Sequence, residues 1–112
     1  MIHYMKLQDK PFQSIKNRTK TIELRLYDEK RKLLNVGDII EFTNMSNGDK
    51  LQVKVINLHI FDSFDVLYNN FDKISLGYED SEVAKVSDME KYYSKEEQSK
   101  YGVLGIEIER IW

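Results

Sequence analysis

A lysine, a glutamate and an arginine stand at positions 20, 23 and 25 of this 112-residue chain, inside the stretch "KTIELRLYDEK" (20–30). Together they suit a polar pocket floor. Arg25 offers a planar fork for a phosphate or a base edge, and Lys20 offers a point charge. Glu23 can accept from an exocyclic amine or hold Arg25 in place. The bland alternative is a cross-strand ion-pair cluster on an outer face, worth about 0–1 kcal/mol if exposed. Spacing alone leaves both open.

Other candidates surround these three. Tyr27 can stack on a base, since aromatic faces beside basic residues suit single-stranded or flipped-out nucleotides, or it can cover a sheet edge. The run "DEKRK" (28–32) reads as a solvated turn. His3 and His59 have no second histidine at ligand spacing, so a metal site is not expected. Tyr92, Tyr93, Tyr101 and Trp112 read as packing groups. Tyr78, which follows Gly77 in a loop, is the aromatic suited to gating an opening, and Glu82 or Glu90 could supply a second carboxylate.

The elements that must position these groups follow from apolar periodicity. In the opening stretch Ile22, Leu24 and Leu26 alternate with Thr21, Glu23, Arg25 and Tyr27, the period of a half-buried strand. Lys20 shares the space of 23 and 25 only if the chain turns just before that strand. A strand is expected over 3–8, then a helix over 9–17 with Asp9 as cap, Pro11 in its first turn, and Phe12 and Ile15 on its inner face. Strands over 38–45 and 50–61 flank "SNGD", a hairpin turn because Asn-Gly tolerates positive φ. The apolar phase of 50–61 slips between Val55 and Ile56, which calls for a bulge. Helical spacing recurs in 63–71 (Phe64, Leu67, Phe71) and in 80–93 (Val83, Val86, Met89, Tyr93). A last helix over 94–102 has a Ser94/Glu97 capping box and Gly102 as C-cap, and 103–112 ends the chain as a strand. This order describes an α+β protein around a small, mostly antiparallel β-barrel of about five or six strands.

Length and composition narrow the function classes. One domain, 1–112, fits the length, and the core needs no disulfide or metal. The absence of cysteine excludes a thiol nucleophile, a disulfide framework and any Cys-ligated zinc site. No apolar run approaches the roughly 18 residues of a membrane span and no signal-peptide pattern opens the chain, so a cytoplasmic protein with no membrane partner is expected. The net charge of −2 hides an asymmetry. Residues 1–36 carry nine Lys and Arg against four Asp and Glu, and residues 37–112 carry eight against fifteen, giving +5 and −7. A local basic surface is compatible with this; tight nonspecific binding driven by counterion release is not.

"IKNRTKTIELR" (15–25) resembles the signature of ASCH domains, Gly-x-Lys-x-x-Glu-x-Arg at a helix-to-strand junction. Lys20, Glu23 and Arg25 match it, and Arg18 stands in place of the glycine. The likeness continues through "LYDEKRKLLNVGDIIEF" (26–42) and "YYSKEEQSKYGVLGIEI" (92–108), and is to the small bacterial single-domain type. The resemblance implies a PUA-like fold, a barrel with helices flanking a cleft lined by Arg18, Lys20, Glu23, Arg25 and Tyr27. It further implies binding of RNA or a modified nucleoside or nucleotide; a monomer without cofactor or metal is expected. Some small members are amidohydrolases of N4-acetylcytidine. In that alternative Lys20, its pKa lowered by desolvation and by Arg18 and Arg25, is base or nucleophile, and Glu23 moves the proton to the leaving amine. The amidohydrolases carry a Thr at the position of Glu23, a departure that counts against the same chemistry.

Overall fold

The structure, a computed structural model, describes residues 1–111, so the packing expected of Trp112 lies outside the described residues. Strand β1 (Ile2–Leu7) leads through helix α1 (Asp9–Lys16) into β2 (Ile22–Leu26). Next come β3 (Ile39–Asn44) and β4 (Lys50–Phe61), then α2 (Phe64–Asn70), α3 (Lys95–Tyr101) and β5 (Val103–Arg110). Short 3-10 turns occupy Arg31–Leu33 and Val86–Lys91.

The five strands form one curled sheet in the order β1-β3-β4-β5-β2, a half-barrel with flanking helices. Three pairings are antiparallel, and β1 lies parallel to β3. The α+β architecture expected from the sequence is therefore present, with the barrel left open between its edge strands β1 and β2. Across that opening the Arg25 guanidinium donates from Nη2 to the Lys6 carbonyl at 3.0 Å. The expected bulge in β4 lies between Val55 and Asn57. Val53 and Val55 face inward before it and Leu58 after it, so one extra residue restores the inward phase.

Two apolar clusters divide the interior. Phe12 and Ile15 of α1 fill the concave side of the sheet together with Met5, Phe42, Val53 and Ile106. Ile22, Leu24 and Leu26 of β2 pack on the opposite side, against Phe64 and Leu67 of α2 and Leu76 of the following loop. Each such fully buried aliphatic side chain contributes about 1.5–3 kcal/mol relative to exposure. The apolar face of β2 thus builds the outer layer, and its charged face turns inward. Glu23 lies opposite Ile106 and Arg25 opposite Leu104, both inward residues of β5.

Two local expectations are corrected. Asp9 is the first helical residue rather than the cap; Gln8 occupies the cap position without a side-chain bond. The Asp9 carboxylate instead accepts from Asn44 Nδ2 at 2.9 Å and Gln13 Nε2 at 3.2 Å. Asn44 is buried at the end of β3, so this contact ties α1 to the sheet. Residues 80–93 hold only the 3-10 segment Val86–Lys91 in place of a full helix. Val86, Met89 and Tyr93 pack against the second cluster as their spacing implied, while Val83 is 73 % exposed. The Ser94/Glu97 capping box and the Gly102 cap are both formed.

Candidate functional site

The site begins with how α1 ends. Arg18 adopts a left-handed backbone, φ 66°, the conformation a glycine would take without cost. The turn it makes folds the chain back, so that the Thr19 and Lys20 amides both donate to the Ser14 carbonyl at 3.1 Å. The chain then enters β2 with Lys20 directed inward, the turn that the sequence required for Lys20 to join residues 23 and 25. The amides of Thr21 and Ile22 bond the Ser75 carbonyl at 2.9 and 3.0 Å, which draws the loop after α2 over this junction.

Beneath that loop Lys20, Glu23 and Arg25 meet. Lys20 is 6 % and Glu23 5 % exposed. Arg25 donates from Nε to Glu23 Oε2 at 2.9 Å, and its Nη2 lies 2.9 Å from the same oxygen. Lys20 Nζ donates to the Leu76 carbonyl at 2.8 Å and lies 3.5 Å from Glu23 Oε1. The loop fits closely over the lysine stem because Gly77, φ 106°, has no side chain. A Cβ there would stand 3.0 Å from Lys20 Cδ.

Burial and the neighbouring charges together set the charge states. It pulls the Lys20 ammonium below the usual lysine range; Glu23 opposes this and Arg25 adds to it. Burial alone would raise the Glu23 carboxyl, but the Arg25 guanidinium and then Lys20 hold it below the usual carboxylate range. Burial also disfavours the Arg25 cation, and Glu23 more than offsets this, leaving the guanidinium more basic than usual. Two cationic groups therefore share one carboxylate in a nearly dry place.

A hollow of about 240 Å³ adjoins the cluster between the end of α1 and the end of β5. Ile15 and Ile108 form its apolar floor, with Arg18, Lys20, Thr21 and Arg110 around it and Glu109 as the acid among its lining groups. Lys20 joins the hollow to the buried cluster. Of the expected site residues, Lys20, Glu23 and Arg25 are brought together, and Arg18 joins Lys20 in lining the hollow. Tyr27 is not part of either group: it is half-buried against the main core, with Lys32 Nζ 5.5 Å from its ring centre.

The remaining candidates are engaged elsewhere. His3 bonds Asp38 and His59 bonds Glu107, each at 2.8 Å. Glu82 is paired with Lys10, and Glu90 lies 3.8 Å from Lys95, so neither carboxylate joins Lys20. The Tyr78 hydroxyl is tied to Tyr68 at 2.9 Å and Asp88 at 2.8 Å, which fixes it in place. Sequence reasoning missed Arg110 and Tyr93. Alternation could have found Arg110, two residues beyond the inward Ile108. Tyr93, read from the sequence as a packing group, also neighbours Arg25, and had no such signal.

This fold and this cluster define a protein class. The family model described as "ASCH domain" matches residues 5–111, and the chain belongs to that family. Among solved structures it is similar to hypothetical protein PH0355, at 35 % identity and a TM-score of 0.84, covering 99 % of this chain and 100 % of that one. It is also similar to protein PF0455 from Pyrococcus furiosus, at 36 % identity and a TM-score of 0.72, covering 99 % and 98 %. These neighbours are archaeal, so the likeness reaches beyond the small bacterial type expected from the sequence. No curated protein matches the chain. ASCH domains are generally thought to bind RNA. Among the described residues no helix is long and apolar enough to cross a membrane.

Proposed function

We propose that this ASCH domain binds RNA or a nucleotide in the cleft beside β2. The observation that carries the reading is the uneven sharing of charge: Lys20 and Arg25 against Glu23 alone, with Lys20 also facing a hollow that Arg18 lines. A positive excess beside a concave, poorly solvated surface concentrates anions. It also gives binding to one place although the chain as a whole is acidic. In this reading Arg18 and Lys20 engage phosphate or a base edge, Glu23 holds Arg25 and accepts from an exocyclic amine, and Tyr27 lies at the periphery. Chemical-shift mapping with short single-stranded RNA and with free nucleosides tests it. Shifts concentrated in residues 18–27 are expected; if those residues stay unmoved at millimolar ligand, the reading is abandoned.

A second reading, a metal-independent amidohydrolase of an acylated cytidine such as N4-acetylcytidine, is favoured by one observation. Burial lowers the pKa of Lys20, and a carboxylate lies 3.5 Å away. A neutral amine at that position can act as base or nucleophile on an acyl carbon. Against it, Arg25 and Lys20 keep Glu23 ionised, which makes it a poor proton donor to a leaving amine. We rank it second for that reason. Equal turnover of N4-acetylcytidine by wild type and Lys20→Ala, or none by either, removes it.

A further inference from the structure

We infer that the hollow between the ends of α1 and β5 is a phosphate site, in which Arg18, Lys20 and Arg110 hold a phosphate monoester, so that the ligand is recognised through a terminal phosphate. This rests on the nucleotide reading of the same cleft and adds a residue and a ligand class to it.

Three independent observations support it. The first is Arg110. Its Nη1 donates to the Lys16 carbonyl at 2.7 Å, which caps the last turn of α1. Its Nε is buried and has no partner among the described residues. A guanidinium N–H shut away from water is costly to leave unpaired, and an oxyanion in the neighbouring hollow would satisfy it in the planar geometry that guanidinium prefers. The second is Arg18. A left-handed backbone at a non-glycine residue carries strain that glycine would avoid, and such strain is found where a side chain has a task. The side chain kept at this cost is a cation on the rim of the hollow.

The third is size and charge. Drug-sized ligands occupy pockets of roughly 300–1,000 Å³, and this hollow of about 240 Å³ lies below that range. It is ample for one phosphate and the edge of its sugar. Arg18 and Arg110 outnumber Glu109 as the charged groups lining the hollow, and the Lys20 ammonium, shared with Glu23, adds to the positive side from behind. A phosphate monoester carries close to −2 near neutral pH, and a diester only −1. The apolar floor of Ile15 and Ile108 closes the far side, which suits an end of a chain.

The test is a ¹⁵N titration that follows the Arg110 Nε–H and the backbone amides of 16–21 and 108–110. The probes are inorganic phosphate, cytidine 5′-monophosphate, cytidine 3′-monophosphate, cytidylyl-cytidine without a terminal phosphate, and cytidine. Inorganic phosphate and at least one monophosphate should shift these signals, the monophosphate binding more tightly, while cytidine and the dinucleotide leave the Arg110 Nε–H unmoved. Arg18→Gly keeps a residue suited to the left-handed turn and should weaken monophosphate binding roughly tenfold, as should Arg110→Lys, which keeps the charge and removes the fork. Unchanged affinity in both variants overturns the inference. Cytidine and dinucleotide binding as tightly as the monophosphates also overturns it, while leaving the nucleotide reading intact. Phosphate binding with no gain from any nucleoside moiety upholds the phosphate site and overturns the nucleotide reading. No response to any probe overturns both.

Discussion

Replacing Glu23 by glutamine removes one charge from the centre of the site and almost no volume. In the native protein the carboxylate holds Arg25 at 2.9 Å and lies 3.5 Å from Lys20, with all three side chains largely shielded from water. After Glu23→Gln two cationic groups face each other around a neutral amide. Removing one partner of a buried ion pair costs about 3–5 kcal/mol, because the charge left behind has no compensation. The amide oxygen still accepts from Arg25, and Lys20 can release its proton, so the lower end, about 3 kcal/mol, is expected. At about 4 °C per kcal/mol, a domain of this size should lose roughly 12 °C in Tm. Urea denaturation at neutral pH is the assay, reading a lowered midpoint at unchanged slope. Glu29→Gln is the control, since its 3.4 Å pairing with Lys32 is exposed and its loss should change stability by less than about 0.5 kcal/mol. If Glu23→Gln behaves like Glu29→Gln, the three charges do not form a buried unit and the reasoning fails.

Other consequences follow from the same geometry. Because Glu23 titrates below its ordinary 4.5 in the folded protein, its stabilisation should be complete above that value and be lost as pH falls through the lowered one. Lys20 acts in the same sense but in a higher window: with its folded pKa below 10.5, the unfolded chain binds the extra proton, so stability should rise with pH up to about 10.5. Urea midpoints across pH should show both trends, and Lys20→Met should abolish the alkaline rise. Gly77→Ala should cost about 1–2 kcal/mol in the same assay, from its positive φ and the 3.0 Å approach of Lys20 Cδ. Tyr78→Phe loses the bonds to Asp88 and Tyr68 and should lower stability by about 1 kcal/mol while leaving ligand shifts in residues 18–27 unchanged.

The sequence carried much of the fold because local signals there agree with tertiary needs. The alternation of Ile22, Leu24 and Leu26, the Asn-Gly hairpin, the slip after Val55 and the Ser94/Glu97 box each specify one backbone path. Residues 80–93 read as a helix because an apolar residue every third position satisfies a 3-10 turn as well as an α-helix, and Val83 simply lies outside the packed stretch. The parallel β1/β3 pairing has no local signature, since it depends on where α1 crosses the sheet. The site was legible as residue types and spacing. Its depth was not, because Lys20 is covered by the loop around Leu76 and Gly77, 56 positions away for the Leu76 carbonyl bond. Nor was the role of β2's two faces: period two reveals that they differ, and only packing decides which one turns inward.

A crystal of the protein grown with a short single-stranded RNA bearing a terminal phosphate would show where the ligand lies. Density for the end nucleotide is expected over the junction of α1, β2 and β5, with its phosphate among Arg18, Lys20 and Arg110. Ordered RNA lying instead on the outer face of β1, β3 and β4, with that junction untouched, would contradict that placement.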